Sequence, residues 1–369
     1  MKKTLLTICL VWMCFSLSAQ KIIDLSGKWS FSIDRQDNGE KEKWFSHTLN
    51  DFINLPGSMP EKLKGDEVTA KTQWTGSLYD SSYYYNPYME KYRKEGNIKF
   101  PFFLTPDKHY VGAAWYQKEV NIPADWKGER ILLFLERPHI ETTVWVNGQK
   151  TGMQNSLCVP HQYDITRYVR PGKCTITIRV DNRIKEINVG PDSHSITDQT
   201  QGNWNGIVGR ICLQTTPKTY FDDIQIYPEP EQKLARVKVV IKGAGITKIK
   251  LSAESFNTDK KHIVPAIQQE IKLNKGVTET EMVLPMGNDM LLWDEFHPAL
   301  YKLKAEVTNG KKTEIKEIQF GMRRFEIKGK WFYVNGRKTQ LRGTVENCDF
   351  PLTGYAPMGV ESWERGFRI

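Results

Sequence analysis

The sequence predicts an all-β fold built from two sandwiches, and three observations carry that prediction. Between Ile22 and Gln340 apolar and polar residues alternate with a period of two in one run after another, as half-buried strands require. Asn-Gly pairs at 147–148, 309–310 and 335–336 each fall between two such runs, and this pair tolerates the positive φ of a tight hairpin turn. Convincing helical periodicity is almost absent over the same stretch.

At the N-terminus Lys2 and Lys3 precede the apolar run LLTICLVWMCFSLSA, which ends on the small residue Ala19. A basic start, a short apolar middle and a small residue predict a secretory signal peptide over residues 1–19, cleaved near Ala19, and a secreted or periplasmic protein. The run is shorter than the ~20 residues of a spanning helix, so no membrane span is expected. Trp12 and Met13 ahead of Cys14 are bulkier than lipoprotein processing sites usually tolerate.

Strands are predicted at 28–33, 114–122, 130–136, 142–148, 175–180, 210–215, 235–242, 248–256, 300–307 and 331–336. PEPEQK at 228–233 breaks the pattern with two prolines and reads as a linker or the first turn of a new domain. A second break follows GMRRFEIKG, after which a hairpin leads to QLRGTV at 340–345, read as a strand, and VESWERGFRI, read as the start of an amphipathic helix. The mature chain therefore divides into 20–218, 219–320 and 321–369, and the second part has the length and strand spacing of an immunoglobulin-like sandwich. Residues 66–110 interrupt the β pattern with eleven aromatic rings from Trp74 to Tyr110, too many for a solvated linker. They serve either as filler against a neighbouring domain or as a binding wall.

With 39% hydrophobic and 11% aromatic residues in 369, the chain can bury a large core. Its formal charge of +9 falls to +7 when Lys2 and Lys3 leave with the leader, and the cations are interspersed with acids, a solvated surface and no nucleic-acid footprint. Of the cysteines, Cys158, Cys174, Cys212 and Cys348 remain after cleavage; their spacing suits neither a zinc site nor a redox pair, and they are read as buried thiols or as pairs of open connectivity. There is no phosphate-binding loop, no HExxH and no GxSxG, so no cofactor and no metal are expected. QGNWNGIVGR at 201–210 is the segment best suited to sugar: an exposed Trp204 face would stack on sugar C–H groups while Asn203 and Asn205 hold hydroxyls. The competing reading is a core Trp in a glycine-rich turn.

Taken in order, LSGKWSFSID (25–34), LPGSMP (55–60), GAAWYQKEVNIP (112–123), LERPHIETTVWVNGQKTG (135–152), YDITRYVRPGKCTITIRVDN (163–182), NWNGIVGRICLQ (203–214), LLWDEFHPALYKLKAEV (291–307) and FGMRRFEIKGKWFYVNGRKTQLRG (320–343) resemble the glycoside hydrolase family 2 enzymes, the β-galactosidases, β-glucuronidases and β-mannosidases. The resemblance implies a jelly-roll, galactose-binding-like sandwich over 20–218, an immunoglobulin-like sandwich over 219–320, and over 321–369 the truncated first βα unit of a (β/α)8 TIM barrel. A whole barrel takes about 250 residues. The family's two catalytic Glu residues sit on later barrel strands and Glu346, Glu361 and Glu364 do not match them, so no catalytic residue is assigned. The resemblance does imply substrate-binding positions: His109 and Tyr110 just before Gly112, and Asn203 and Trp204, where the family offers a carboxylate and Asp198 lies further off. Asn347 and Asp349 follow the expected barrel strand, on the face where barrels gather ligand groups.

The first functional reading is thus the N-terminal fragment of an exported family 2 glycosidase, acting on a β-linked galactoside or glucuronide and inactive as this chain alone. The ligand is a carbohydrate, and an oligomer is compatible with the intact enzyme. The alternative is a free-standing carbohydrate-binding protein without catalysis. Residues beyond about 340, lacking barrel neighbours, are expected to fray.

Overall fold

In the computed structural model, residues 20–75, 85–99, 105–157, 159–185, 198, 202–343, 345 and 350–368 are described. Contacts divide them into two units, one of Lys21–Thr215 with Gly343–Ile369 and one that includes Thr216–Arg342.

The first unit carries β1 (Ile22–Asp24), β2 (Gly27–Asp34), β3 (Asp51–Leu55), β4 (Gly57–Ser58), β5 (Asp66–Glu67), β6 (Lys108–His109), β7 (Ala113–Ile122), β8 (Arg130–His139), β9 (Glu141–Val146), β10 (Gln149–Asn155), β11 (His161–Asp164), β12 (Gly172–Asp181) and β13 (Gly206–Thr216). One antiparallel sheet runs β1-β13-β8-β11 with β4 beside β13, and the other runs β10-β9-β12-β7-β2-β3. Alternate residues of both sheets meet in one core, including Trp29 and Phe31 of β2, Ile176, Ile178 and Val180 of β12, and Ile131, Leu133 and Leu135 of β8. Each such side chain contributes roughly 1.5–3 kcal/mol by leaving water. The outer face of the second sheet is also apolar: Trp115 and Trp145 lie 4.9 Å apart between ring centroids, and Phe45 stacks on Trp145 at 5.2 Å. Beside them Arg179, on the outward register of β12, is held by Asp37, Glu141 and Asp181.

The second unit begins with β14 (Tyr220–Glu229), β15 (Leu234–Phe256), β16 (Ile263–Pro285), β17 (Leu300–Asn309) and β18 (Lys312–Phe320). β14 pairs with residues 234–242 of β15, β17 pairs with residues 248–256, and β16 follows β15 along both halves. Bulges at Gly243/Gly245, opposite Gly276, separate the halves. Both halves feed one core, Val237, Val239 and Ile241 from the first and Ile249, Leu251 and Ala253 from the second. The hairpin therefore crosses from a three-stranded to a four-stranded layer, the order of an immunoglobulin-like sandwich. Glu314 of β18 closes the opposite side by accepting from Phe221 N of β14 at 2.6 Å. PEPEQK is the hairpin loop between β14 and β15: Pro228 is still strand and Pro230–Gln232 form a single 3-10 turn. A three-stranded sheet of β19 (Phe325–Lys328), β20 (Trp331–Val334) and β21 (Arg337–Thr339) completes the unit.

The Asn-Gly turns at 147–148 and 335–336 have positive φ at both residues. At 309–310 only Gly310 does, and Asn309 pairs with Lys312, so the turn is shifted by one residue to Gly310-Lys311. Asn309 is occupied elsewhere: its amide donates to Ala244 O, Ile246 O and Thr247 Oγ1, bracing the bend of β15.

The expected strand at 340–345 is not formed among its described residues, and Leu341 and Val345 are 60% and 88% exposed. Their alternation marks a preference for one face, and a strand also needs a neighbour to pair with. The expected helix is present as α1 (Glu361–Phe367). Part of the stretch expected to fray is docked on the first unit, where Ser58 Oγ donates to Thr353 O at 2.5 Å and Tyr355 OH donates to Glu61 Oε2 at 2.7 Å. No described helix is long and apolar enough to cross a membrane. Cys174 and Cys212 are buried free thiols, and burial pushes Cys174 up to about 11; Cys158 and Cys348 lie outside the described residues.

Candidate functional site

At the ends of β6, β12 and β13 four loops converge inside the first unit. Asn182, just past β12, ties them together: its carbonyl oxygen accepts from Gly112 N at 2.8 Å, and its amide donates to Tyr110 O at 2.9 Å and Asn203 Oδ1 at 3.1 Å. Asn203 returns its own amide to Asn182 O and Thr75 Oγ1, both at 3.0 Å. Gly112 holds φ at +150°, a conformation other residues rarely adopt, which lets the chain turn from Tyr110 into β7.

Asp198 is the carboxylate of this cluster. It accepts from Asn203 N at 2.9 Å and from Thr75 N at 2.5 Å. His109 Nε2 approaches it at 3.5 Å without hydrogen-bond geometry, and that nitrogen is buried without a partner among the described residues. Trp74 meets the His109 ring edge-on at 4.8 Å. The pair His109–Asp198 thus leaves one imidazole nitrogen uncommitted among the described residues, in a polar pocket, a group suited to a hydroxyl. Tyr110 faces inward, donating its hydroxyl to Ala113 O at 2.9 Å, and burial raises its pKa far above the usual phenol range. Next to His109 and Tyr110 a cavity of about 430 Å³ opens, bordered by Arg35, Asp66, Glu67 and Lys71.

Trp204 is 6% exposed. His139 stacks on it with ring centroids 4.5 Å apart and planes 16° from parallel, and His139 Nδ1 donates to Trp204 O at 2.6 Å, since a carbonyl only accepts. Burial holds the His139 pKa down at about 4, against the opposing pull of that hydrogen bond. Tyr355 leans on the indole at 5.5 Å, and a Cβ on Gly354, which has φ +79°, would lie 2.8 Å from Trp204 Cδ1. Burial would raise the Glu61 pKa, but hydrogen bonds from Lys62 and Tyr355 outweigh it and lower it. Trp204 therefore anchors the 350–355 segment, and one small cleft, shared with Asp198, Asn203 and Pro351, reaches its edge.

Of the residues singled out in sequence, His109 and Asn203 are brought together around Asp198, Tyr110 and Trp204 flank them, and Asn347 and Asp349 lie outside the described residues. Sequence reasoning set Asp198 aside as lying further off and passed over Asn182 and Thr75. Asp198 stands five positions before Asn203, a distance that only the return of the loop removes. Among the described residues no cluster of three or more His, Cys, Asp or Glu could hold a metal. The cluster offers one carboxylate, whereas retaining glycoside chemistry uses two about 5–5.5 Å apart. Among the described residues it holds no bond-breaking pair.

Comparison with known proteins bears on both units. The family model "Glycosyl hydrolases family 2, sugar binding domain" matches residues 22–217, and "Glycosyl hydrolases family 2" matches 219–323. A β-glucuronidase of Paenibacillus borealis is 23% identical over 355 residues, covering 91% of this chain and 51% of the relative. Human β-glucuronidase is 23% identical over 90% of this chain and 49% of its own. A β-galactosidase of Thermoanaerobacter pseudethanolicus is 25% identical over 70% of this chain and 35% of its own. Among solved structures, the Ruminococcus gnavus β-glucuronidase in complex with uronic isofagomine superposes with a TM-score of 0.60 at 18% identity, covering 88% of this chain and 48% of that one. The chain thus spans about half the length of the curated relatives it matches. With two adjoining family models accounting for most of its residues, the chain belongs to glycoside hydrolase family 2.

Proposed function

We propose that this chain is the sugar-side portion of an exported retaining glycosidase that acts on a β-glucuronide or β-galactoside. The observation that carries the reading is the tandem match of the sugar-binding and second family 2 models, in relatives about twice as long that are named β-glucuronidase and β-galactosidase. In such an enzyme one Glu attacks the anomeric carbon while another protonates the leaving oxygen and then activates water. Neither role falls to Glu346, Glu361 or Glu364, so the catalytic pair belongs to a barrel whose start follows the β19-β20-β21 sheet of the second unit. This chain contributes the wall: His109 Nε2 bonds a sugar hydroxyl, Asp198 and Asn203 hold the loop that carries it, Tyr110 and Trp204 shape its floor, and Asn347 and Asp349 are carried over from the family resemblance as further polar groups. Residues 1–19 are the export leader.

The purified 369-residue chain is expected to leave aryl β-glucuronides and aryl β-galactosides intact, and measurable release of the aryl group above buffer would refute the assignment of catalysis outside it. N-terminal sequencing of the exported protein should begin at Gln20; a first residue of Met1 would remove the leader.

A further inference from the structure

In the second unit a cavity of about 310 Å³, at the small end of ligand-site sizes, is lined by Leu292, Trp293, Arg323, Phe325, Arg337 and Leu341 among others. Its frame is built. Asn335 donates to Trp293 O at 3.0 Å and accepts from Arg324 N at 2.8 Å, and a Cβ on Gly321 would lie 3.0 Å from that of Trp293, so the indole fits only against glycine.

The two arginines differ from their neighbours. Arg236 pairs with Glu229 and Glu281, Arg324 with Glu231 and Glu326, and Arg342 reaches Glu295. Arg323 instead lies on the Trp293 ring at 4.7 Å and Arg337 on the Phe296 ring at 5.0 Å, and neither has a carboxylate within ion-pair distance among the described residues. Two acids also line the cavity: Asp294 accepts from Phe296 N and His297 N, both at 2.8 Å, and Glu295 faces Arg342 at 3.9 Å. The cations of the cavity without an acid partner among the described residues are thus two exposed guanidinium forks, planar donors matched to a carboxylate, set among aromatic and aliphatic side chains that can cover the C–H face of a ring.

We propose that this cavity is a second, non-catalytic ligand site that takes a uronic acid residue, its carboxylate on Arg323 and Arg337 and its pyranose face on the aromatic wall. The test is a titration of the full chain with D-glucuronate, followed through the Trp293 indole N–H resonance. D-glucose and N-acetylglutamate serve as the uncharged sugar and the sugar-free carboxylate. Glucuronate should shift the resonance saturably, about tenfold more weakly in R323Q or R337Q and not at all in the double variant, with both side chains exposed enough for the fold to survive. Equal response to glucose, equal response to N-acetylglutamate, or unchanged binding in the folded double variant would each overturn the proposal. Because the readout is local to Trp293, it is independent of whether His109 binds a sugar.

Discussion

Lowering the pH from 7 to 5 should weaken the first unit through one residue, His139. In the unfolded chain its imidazole titrates near 6.5; folded, against Trp204, it titrates at about 4. Since the folded form takes up its proton later, its stability is complete above about pH 6.5 and declines as pH falls toward 4. The full gap of about 2.5 pH units corresponds to roughly 3.4 kcal/mol at 1.36 kcal/mol each, of which about 2 kcal/mol is lost between pH 7 and 5. Unfolded carboxylates titrate near pH 4, so this window is largely a histidine window. His161 is buried too and its pKa is also lowered, so the difference between wild type and His139→Asn isolates the one group. Urea unfolding at both pH values should show the wild type losing about 2 kcal/mol more than the variant, a shift in midpoint temperature of several degrees. An NMR titration should place the His139 Cε1–H midpoint near 4. A midpoint near 6.5, or equal losses in both proteins, would refute the argument.

Three further outcomes follow from the packing. Gly206→Ala would press a Cβ onto Gly57 O and set it 2.8 Å from Ser58 Cα at φ +148°, where both neighbours are backbone, and calorimetry should show a loss of about 2–3 kcal/mol. Gly354→Ala strikes the Trp204 ring instead, so it should release residues 350–355 to protease while the β13 amides stay protected from exchange. Asp181, fully buried, would be raised by burial, yet Arg183, Lys185 and Arg179 hold its pKa well below the usual range. Its contribution is therefore complete above about pH 4 and lost as pH falls further, and Asp181→Asn should destabilise the unit by about 3 kcal/mol at pH 7 while flattening its acid unfolding below pH 4.

Strands were legible because a half-buried strand writes its two faces into alternate residues. KWSFSI, AWYQKEVNI and LYKLKAEV each lie within an observed strand. What alternation does not encode is pairing: 235–242 and 248–256 read as two strands because each has its own apolar face, yet they form one strand bent by glycine bulges. Likewise 340–345 has the pattern of a strand without a neighbour. The turn at 309–310 moved because Asn309 bonds a segment more than sixty residues earlier. The site was legible in its aromatic and amide residues, while its carboxylate, Asp198, read as too far off, since it reaches His109 only through loop closure across 89 positions. Trp204 read equally as a stacking platform or a core indole, because composition does not distinguish the two, and the structure, with His139 and Tyr355 covering it, bears out the core reading.

The continuous ladder of β15 and β16 bears on how the second unit comes apart. In a sandwich whose layers touch only through side chains, one layer can slide or melt while the other persists. Here nineteen paired positions run from Leu234↔Pro285 to Glu254↔Ile263 through both layers. Opening either layer breaks hydrogen bonds that continue into the other, so the unit should unfold as a single cooperative block. Its first contacts are cheap as well: the pairing around Phe256 and Ile263 closes a short loop, and each further rung zips toward the bend at little added entropy. A hairpin that begins as a local structure thus ends as the hinge pin of both layers.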